Sequence, residues 1–216
     1  MVPAAISNFL ERHHAQYSLL GHPTAFTAQE EAAAAHVPGS EWAKTIVCQA
    51  DDRPILAVVP APSLVDLRRL QQATHAHSIR LAREREFALL FDDCELGAIP
   101  PLGPLYGRDV FVDQSLTRDP VVFFSAGSHQ MAIGMPYSEF DRLVHPTVGE
   151  FAGGLASAPM SRTKSAIDPV CGADVREEAS GGRSDHRGET YYFCSQCCKM
   201  EFDDNPDAYA KLPRAG

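Results

Sequence analysis

The sequence predicts an α/β protein, with a single mixed-sheet domain followed by a small α+β module. Three observations lead to this fold class. Helix-like and strand-like segments intermix through most of the chain without a strict alternating repeat. Residues 152–166 (AGGLASAPMSRTKSA) are small and polar without hydrophobic periodicity, which is typical of a linker. Four of the six cysteines lie beyond that segment.

These observations set the predicted boundaries: a first domain at 1–152, a linker at 153–166 and a second module at 167–216. The second module has about 50 residues, too few to bury an apolar core that would hold it folded by itself. Because its cysteines are crowded and a cytosolic chain is kept reduced, a bound metal is favoured over disulfides. We therefore expect a metal-stapled module.

The first half of the domain contains two helix signals and a hairpin. The segment ISNFLERHHA places Ile6, Phe9 and Leu10 on one helical face, and a short strand, YSLLGH, follows it. A capping box from Thr27 to Glu30 begins the helix TAQEEAAAAHVPG. The strands AKTIVCQ and PILAVVPA flank the turn ADDR and predict a β-hairpin.

The second half continues with alternating signals. SLVDLRRLQQA reads as a helix with Ser63 as its N-cap and Asp66 at the third helical position. The remaining segments are predicted in this order: strand SIRLA, helix EREFALLF, loop ELGAIPPLGPLYG, strands DVFVD, PVVFFSAG and HQMAIG, and helix YSEFDRLVH.

Composition and charge exclude several classes of protein. The chain is 44% hydrophobic, as is common for globular proteins, and no apolar run reaches the roughly 20 residues of a membrane helix. The net charge is −9, so a broad basic surface that grips nucleic acid through phosphates alone is not expected. The N-terminus lacks the pattern of a signal peptide, so a cytoplasmic location is expected.

One lysine stands out. Lys44 lies at the start of a strand that should enter the core, and it is the only lysine before Lys164. Two interpretations remain open from the pattern alone. The side chain could extend from the strand edge into solvent, or it could place an ammonium group in a ligand pocket.

Two further segments could meet Lys44 at one end of the sheet. The loop from Gly97 to Gly103 allows backbone groups to face a ligand, and the turn 126–129 (AGSH) offers N–H groups to an oxygen. Ser128 and His129 are adjacent, so on a strand their side chains point to opposite faces and a Ser–His triad is not expected. The pattern favours a pocket for a small polar ligand, although a histidine such as His129 is by itself more often structural than functional.

Several stretches resemble, in order and spacing, the YbaK/EbsC family of aminoacyl-tRNA editing domains, which includes prolyl-tRNA synthetase-associated proteins. The similarity covers about residues 5–150 and is carried by HPTAFTAQEEAAAAHVPGSEWAKTIV, ELGAIPPLGPL, VFVDQSL and FFSAGSHQMAIG. Lys44 matches the signature lysine of that family.

The resemblance implies a function and a set of site residues. The family hydrolyses the ester that joins a mischarged small amino acid, such as alanine or cysteine, to a tRNA acceptor end. It uses water and backbone groups rather than a protein nucleophile. A tRNA for proline and delivery by an aminoacyl-tRNA synthetase are the implied partners. The implied catalytic residues are Lys44, Gly97, Gly127 and Ser128, and the implied substrate-binding residues are His129, Thr27 and Pro100.

The C-terminal cysteines have metal-ligand spacing. Cys194 and Cys198 are four residues apart, and Ser195 is a good N-cap for a helix that begins between them. Cys171 can supply a third sulfur from across a hairpin. Zinc would take a fourth ligand, for which the candidates are Cys197, which points about 100° away from Cys198 around the helix, Asp168, His186 or a partner chain. A reduced cluster without metal is the alternative.

Residues 167–210 resemble the YHS domain, a small heavy-metal-associated module. The similarity is carried by DPVCG, YYFCS, the spacing of Cys194 and Cys198, Phe202 and NPDAY. On this resemblance Cys171, Cys194 and Cys198 are ligands and Cys197 is an addition. Ala173 stands where many relatives have methionine, so zinc is at least as well suited as copper.

Two functions from different classes compete at this point. The first is a trans-editing hydrolase with an appended metal-binding module that its deacylase site does not need. The second is a non-enzymatic metal-binding or metal-sensing protein that uses a degenerate editing fold as a ligand-binding domain. Lys44→Ala distinguishes them, because only the first function would lose ester hydrolysis.

Overall fold

The computed structural model describes residues 1–155, 165–176 and 180–209. The chain divides into two compact units, one of Met1–Ala82 with Phe87–Ala156 and one of Arg83–Glu86 with Ser157–Gly216. The first is the larger unit and the second the smaller unit.

Up to Leu155 the chain alternates irregularly between helices and strands, with two 3₁₀ turns at Ala88–Leu90 and Gln114–Arg118. The elements are α1 (Ala4–Arg12), β1 (Ser18–Gly21), α2 (Ala28–Ala34), β2 (Ala43–Ala50), β3 (Arg53–Pro60), β4 (Ser63–Val65), α3 (Leu67–Thr74), β5 (Ile79–Leu81), α4 (Glu84–Phe87), α5 (Gly103–Tyr106), β6 (Val110–Asp113), β7 (Val121–Ser128), β8 (Met131–Pro136), α6 (Tyr137–Val144), β9 (Thr147–Gly149) and β10 (Ala152–Leu155).

The larger unit contains a mixed sheet, as the sequence predicts. Five strands follow the order β5-β2-β3-β6-β9, in which β3 and β9 run parallel to β6 and the β2 neighbours are antiparallel. A second sheet of order β1-β8-β7 is antiparallel throughout. A bridge between Trp42 and Phe123 joins the two sheets. The mixed sheet is therefore continued by a three-stranded antiparallel section.

The core of the larger unit lies against these two sheets. Phe124 of β7, Leu56 of β3 and Leu10 of α1 are fully buried in one apolar cluster. Trp42 is the largest side chain of a second buried cluster, which includes Ala32 of α2. Burial of the apolar side chains in these two clusters provides the main stabilisation of the fold. It also fixes the strand ends and loops that carry the candidate site.

Three local predictions need correction. Ser63 does not cap a helix, because Ser63–Val65 forms β4 and the helix begins at Leu67 with Asp66 as its N-cap, accepting from the Arg69 N–H. The predicted helix EREFALLF is a single helical turn followed by a 3₁₀ turn. The predicted Gly-Pro loop contains the short helix α5.

The first residues of the predicted linker form a β-strand. Ala152–Leu155 pairs with β4 in an antiparallel ladder, so its first residues belong to the larger unit. The Asp113 carboxylate accepts the backbone N–H groups of Phe151 and Ala152 and thereby holds the start of this strand. Ser165–Ile167 at its other end forms a strand as well. Residues 156–164 of the predicted linker lie outside the described residues.

The smaller unit combines short strands with a helix. Its elements are β11 (Ser165–Ile167), β12 (Asp174–Arg176), β13 (Gly182–His186), β14 (Glu189–Phe193), α7 (Gln196–Asp204) and α8 (Pro206–Tyr209). The strands form two antiparallel pairs, β11-β12 and β13-β14. Phe193 and Phe202 pack together with their ring centroids 5.1 Å apart and form a small core with Cys198.

In the parts of the chain that the structure describes, the helices are too short and too polar to cross a membrane.

Candidate functional site

Lys44 lies on β2 with its ammonium group largely withdrawn from water. Its Nζ donates hydrogen bonds to the Ser63 carbonyl at 2.7 Å and to the Ala61 carbonyl at 3.1 Å. Among the described residues no carboxylate lies within ion-pair distance of it. Burial disfavours the charged form, so the pKa of Lys44 falls to about 8. An ammonium group with carbonyl partners and no counter-ion is suited to receive an anionic group.

The Gly97 loop and the turn at residues 126–129 lie against each other. We call this arrangement the clasp and define it as residues 95–98 together with 126–129. The Glu95 N–H donates to the Gly127 carbonyl at 2.9 Å, and the Gly127 N–H donates to the Ala98 carbonyl at 3.1 Å. The His129 N–H donates to the Glu95 carboxylate at 2.7 Å. These bonds hold the two segments in register.

The clasp leaves one of the predicted backbone donors free and occupies another. Gly127 donates its N–H to Ala98, so that group is not available to a ligand. Gly97 is exposed and, within the described residues, its N–H has no acceptor. Both glycines have a positive φ, 90° at Gly97 and 85° at Gly127, which side chains disfavour. Of these two glycines, Gly97 is therefore the one whose N–H stays open within the described residues.

His129 is held on both ring nitrogens. Its Nε2 lies 2.8 Å from the Leu96 carbonyl and its Nδ1 lies 3.3 Å from Glu31 Oε1. Glu31 is 1% exposed, and its other oxygen accepts the Ser125 hydroxyl at 2.6 Å. The half-exposed ring of Phe26 covers His129, with the centroids 5.1 Å apart. Neither nitrogen is free to accept a proton from a nucleophile.

The electrostatics of His129 follow from this arrangement. Burial by itself favours the neutral imidazole, but the hydrogen bond to Glu31, the Leu96 carbonyl and the charges of Glu31 and Glu95 outweigh it. The pKa of His129 is therefore raised above its ordinary value. A positively charged imidazole satisfies both neighbouring acceptors at once.

The other predicted residues occupy different environments. Among the described residues the buried Ser128 hydroxyl has no hydrogen-bond partner and makes no bond to His129, so none of them acts as a base toward it. Thr27 is the N-cap of α2 and accepts the Glu30 N–H, as the capping box predicts. Pro100 is buried in the chain that leads from the clasp to α5. Among the described residues no hydrogen bond or ion pair links Lys44 to the clasp.

Sequence reasoning missed Glu31, Ser125 and Glu95. Glu31 lies in an alanine-rich helix, and Ser125 interrupts an apolar strand. A charged residue on the buried side of such a helix was the available signal, since buried carboxylates need partners. Its partner His129 is 98 residues away along the chain, and no spacing rule connects them.

The smaller unit gathers four possible metal ligands. Ligand atoms of Asp168, Cys171, Cys194 and Cys198 all lie within 4.8 Å of one another. The Sγ atoms of Cys171 and Cys194 are 3.4 Å apart, and those of Cys194 and Cys198 are 3.6 Å apart. Ser195 caps α7 by accepting the Cys198 N–H at 3.2 Å, as predicted, and so places two of these sulfurs at the helix start.

Asp168 connects the two segments that carry the sulfurs. It is fully buried, and one carboxylate oxygen accepts the N–H groups of Val170 and Cys171 while the other accepts the Cys194 N–H at 2.8 Å. A carboxylate has about four acceptor positions, so one remains for a metal ion. Asp168 can therefore act both as organiser and as fourth ligand.

The donor set fits a soft divalent ion. Tetrahedral zinc with Zn–S bonds of about 2.3 Å requires sulfurs about 3.8 Å apart, close to the distances found here. Hydrogen bonds from Cys194 and Cys198 lower the pKa of Cys171, and sharing the same thiolate raises the pKa of Cys194. Three sulfurs that already stabilise a thiolate, together with a carboxylate, are ligands that zinc accepts.

Two candidates for the fourth ligand lie outside this cluster. Cys197 is not among its members, because consecutive helical residues point about 100° apart. Burial raises the pKa of the Cys197 thiol to about 11. His186 instead contacts Asp207 through Nε2 at 2.9 Å. The structure thus places the Asp168 carboxylate, and not the predicted Cys197, beside the three sulfurs.

Comparison with solved structures supports the fold of the larger unit. A structure from a study of epitope backbone grafting by computational design has 20% sequence identity and a TM-score of 0.62, over 70% of this chain and 96% of its own. Hypothetical protein APE2540 has 20% identity and a TM-score of 0.62 over 69% and 99%. A proposed trans-editing enzyme for prolyl tRNA synthetase has 22% identity and a TM-score of 0.60 over 69% and 96%.

No curated protein sequence matches the chain significantly. Two family models do match. The YHS domain model covers residues 166–212, the region that contains the sulfur and carboxylate cluster. The aminoacyl-tRNA editing domain model covers residues 22–143, which is more than half of the chain and includes Lys44 and the clasp. The chain thus belongs to the aminoacyl-tRNA editing domain family.

Proposed function

We propose that this protein is a trans-editing hydrolase that deacylates mischarged aminoacyl-tRNA. Its substrate is a small amino acid, alanine or cysteine, on a tRNA for proline. Membership of the editing-domain family, whose members are expected from the sequence resemblance to remove small amino acids, supports this choice of amino acid. The solved structure described as acting for prolyl tRNA synthetase supports the choice of tRNA.

The observation that carries the proposal is the buried ammonium of Lys44 within an editing domain. Lys44 has two carbonyl partners and, among the described residues, no carboxylate within reach. A tRNA 3′-end brings phosphate, which would supply the missing negative charge, and an ester carbonyl, whose oxygen can accept a hydrogen bond from the ammonium group. In this proposal Lys44 anchors the terminal nucleotide beside the reacting ester.

The chemistry uses water rather than a protein nucleophile. Water attacks the ester carbonyl, a C–O bond forms, and the carbonyl oxygen becomes an oxyanion. The open Gly97 N–H stabilises that charge. The bond to the ribose oxygen then breaks, the ribose oxygen takes one proton from the attacking water, and the amino acid leaves as a carboxylate after releasing the other. Ser128 contributes backbone to the turn, and its unpartnered hydroxyl lacks the base that a nucleophile needs.

The remaining predicted residues shape the pocket in this proposal. His129, with Phe26 across its ring, forms a wall beside the amino-acid side chain. Thr27 and Pro100 hold the starts of the two segments that border it, α2 and the chain leading to α5. Gly127 acts by keeping the clasp in register rather than by donating to the substrate.

The smaller unit would hold zinc or another soft heavy-metal ion through Cys171, Cys194, Cys198 and Asp168. When bound, such an ion supplies a crosslink between the two segments that carry its ligands. No step of the deacylation is assigned to it. The tRNA acceptor end and an aminoacyl-tRNA synthetase remain the proposed partners, and the cytoplasm, where both occur, is the proposed location.

The ligand cluster also favours a second candidate, a metal-binding or metal-sensing protein without hydrolytic activity. One experiment separates the two. Deacylation of alanyl- and cysteinyl-tRNA bearing the proline anticodon is measured with wild type, Lys44→Ala and the control Lys199→Ala, which removes a surface lysine of the smaller unit. We expect wild type and Lys199→Ala to hydrolyse the ester at similar rates and Lys44→Ala to be at least about 100-fold slower.

Absence of hydrolysis of both substrates by the wild-type protein would overturn the proposed function and leave the second candidate. Full activity of Lys44→Ala would remove Lys44 from the catalytic site.

A further inference from the structure

The residues that face His129 form one continuous hydrogen-bonded chain. It runs from the Ser125 hydroxyl to Glu31, from Glu31 to the imidazole of His129, and from the imidazole to the Leu96 carbonyl. The Leu96 carbonyl and the Gly97 N–H belong to the same peptide group. We propose that Glu31, acting through His129, positions and polarises this peptide so that the Gly97 N–H faces the carbonyl oxygen of the substrate ester.

The donor directions in this chain follow from elementary chemistry. A carbonyl oxygen only accepts, so the Nε2 of His129 carries a proton toward Leu96. Glu31 already accepts the Ser125 hydroxyl, and as a carboxylate it requires a donor from His129 as well. The imidazole satisfies both neighbours only when both of its nitrogens are protonated. Glu31 therefore stabilises the one form of His129 that holds Leu96 without losing another contact.

The effect reaches Gly97 through the peptide group. A hydrogen bond to the carbonyl of a peptide draws electron density away from its N–H and strengthens that group as a donor. The imidazole also packs on Gly97, where an added Cβ would lie 3.3 Å from His129 Cε1. The ring thus restricts the rotation of the peptide as well as polarising it. Within the described residues the Gly97 N–H has no other acceptor, so its direction is available to a ligand.

Two acidic groups face His129, and they act differently. Glu31 of α2 contacts the ring, whereas Glu95 of the clasp accepts the backbone N–H of His129. Both favour the charged imidazole, in agreement with the raised pKa of His129. As the pH rises through that pKa, the imidazole loses one proton and one of its two contacts. The catalytic rate should therefore fall at high pH in wild type and at a lower pH once Glu31 is neutral.

This inference rests on the proposed function, and its experiment separates the two. Glu31→Gln is compared with wild type and with Glu30→Gln, which removes the same charge one residue earlier on α2. The full-length protein is used, and circular dichroism verifies folding. Two readouts are taken: NMR of the His129 imidazole and the Gly97 amide, and steady-state deacylation as a function of pH.

In Glu31→Gln we expect the pKa of His129 to fall, because the charged partner that favours the protonated imidazole is lost. The Gly97 amide proton should move upfield. The kcat should fall about 10- to 100-fold, less than the loss of a whole oxyanion donor, while KM changes less than about threefold. Glu30→Gln should match wild type in every readout. Ser125→Ala, which leaves the carboxylate in place but removes one of its two contacts, should change the Gly97 amide by a smaller amount.

An unchanged Gly97 amide in Glu31→Gln overturns the inference whatever the activity. The inference is also overturned if the Gly97 amide shifts in Glu31→Gln but the kcat and the pH profile of that variant equal those of an active wild type. If the wild-type protein deacylates neither tRNA, the proposed function is overturned, and so is the catalytic part of this inference. The shift of the Gly97 amide in Glu31→Gln still decides whether Glu31 positions Gly97. If Glu31→Gln does not fold, Ser125→Ala decides by the same criteria.

Discussion

The two units of this protein build their candidate sites in opposite ways. In the larger unit an extensive apolar core fixes the strands, and the site is added at their ends, with Lys44 near the start of β2 and His129 directly after β7. In the smaller unit the site and the core share residues. Cys198 belongs both to the ligand cluster and to the apolar group formed with Phe193 and Phe202.

The difference has a physical cause. A large core contributes enough free energy to hold groups that are unfavourable by themselves, such as a buried ammonium or the buried Ser128 hydroxyl that has no partner among the described residues. A core of three side chains cannot do so, and its ligands must contribute to folding directly. Changes at the two sites should therefore have opposite consequences for stability.

The largest expected effect is the loss of metal from the smaller unit. Chelation, or Cys194→Ser, should unfold that unit, because a structural zinc site contributes on the order of 10 kcal/mol of apparent binding energy to folding. Circular dichroism and NMR of the full chain measure the loss, and deacylation should be unchanged. Cys94→Ser, which alters a thiol of the larger unit, is the control. A smaller unit that stays folded without metal would contradict the comparison.

A smaller effect is expected when Asp168 is replaced by Asn. Asn keeps one acceptor oxygen, but its NH₂ group would replace an oxygen that now accepts a hydrogen bond from a backbone N–H, so two donors would face each other. Zinc affinity should fall about 10- to 100-fold, as for other groups that orient metal ligands. Competition with a chromophoric chelator measures it, and Asp185→Asn, an exposed change on β13, is the control. Unaltered affinity would show that Asp168 neither binds the ion nor organises its ligands.

The smallest effect is expected from Lys44→Met in the larger unit, and it should be stabilising. The shift in the pKa of Lys44 from 10.5 to about 8 corresponds to about 3 kcal/mol of unfavourable burial. Loss of the hydrogen bonds to Ala61 and Ser63 offsets part of it, so a net gain of about 1–2 kcal/mol is expected. Denaturant unfolding measures the gain, while deacylation is lost.

The pH dependence of that gain checks its cause. The folded-state pKa of Lys44 is below the unfolded one, so the penalty is complete below about pH 8 and disappears as the pH approaches 10.5. Wild type should therefore become more stable across this range, and the advantage of Lys44→Met should shrink. An advantage that does not vary with pH would assign the gain to packing rather than to charge.

Local patterns were sufficient for much of the fold. Thr27 and Ser195 cap helices as predicted, because a capping side chain and the N–H it accepts are only three residues apart. The hairpin of β2 and β3 follows from strand propensity around a turn. Ser63 was misassigned because Asp66 caps equally well, and the pairing of β4 with Ala152–Leu155 decided between them.

The sequence by itself determined the fold class, the position of Lys44 on its strand and the three clustered cysteines, since each depends on a motif or on spacing within a short segment. The tertiary structure decided the rest. It brought Glu31 and Ser125 to His129, placed Asp168 rather than Cys197 among the sulfurs, and occupied the Gly127 N–H while leaving that of Gly97 open. These contacts join residues up to 98 positions apart, and their geometry follows from how strands and loops pack rather than from any local pattern.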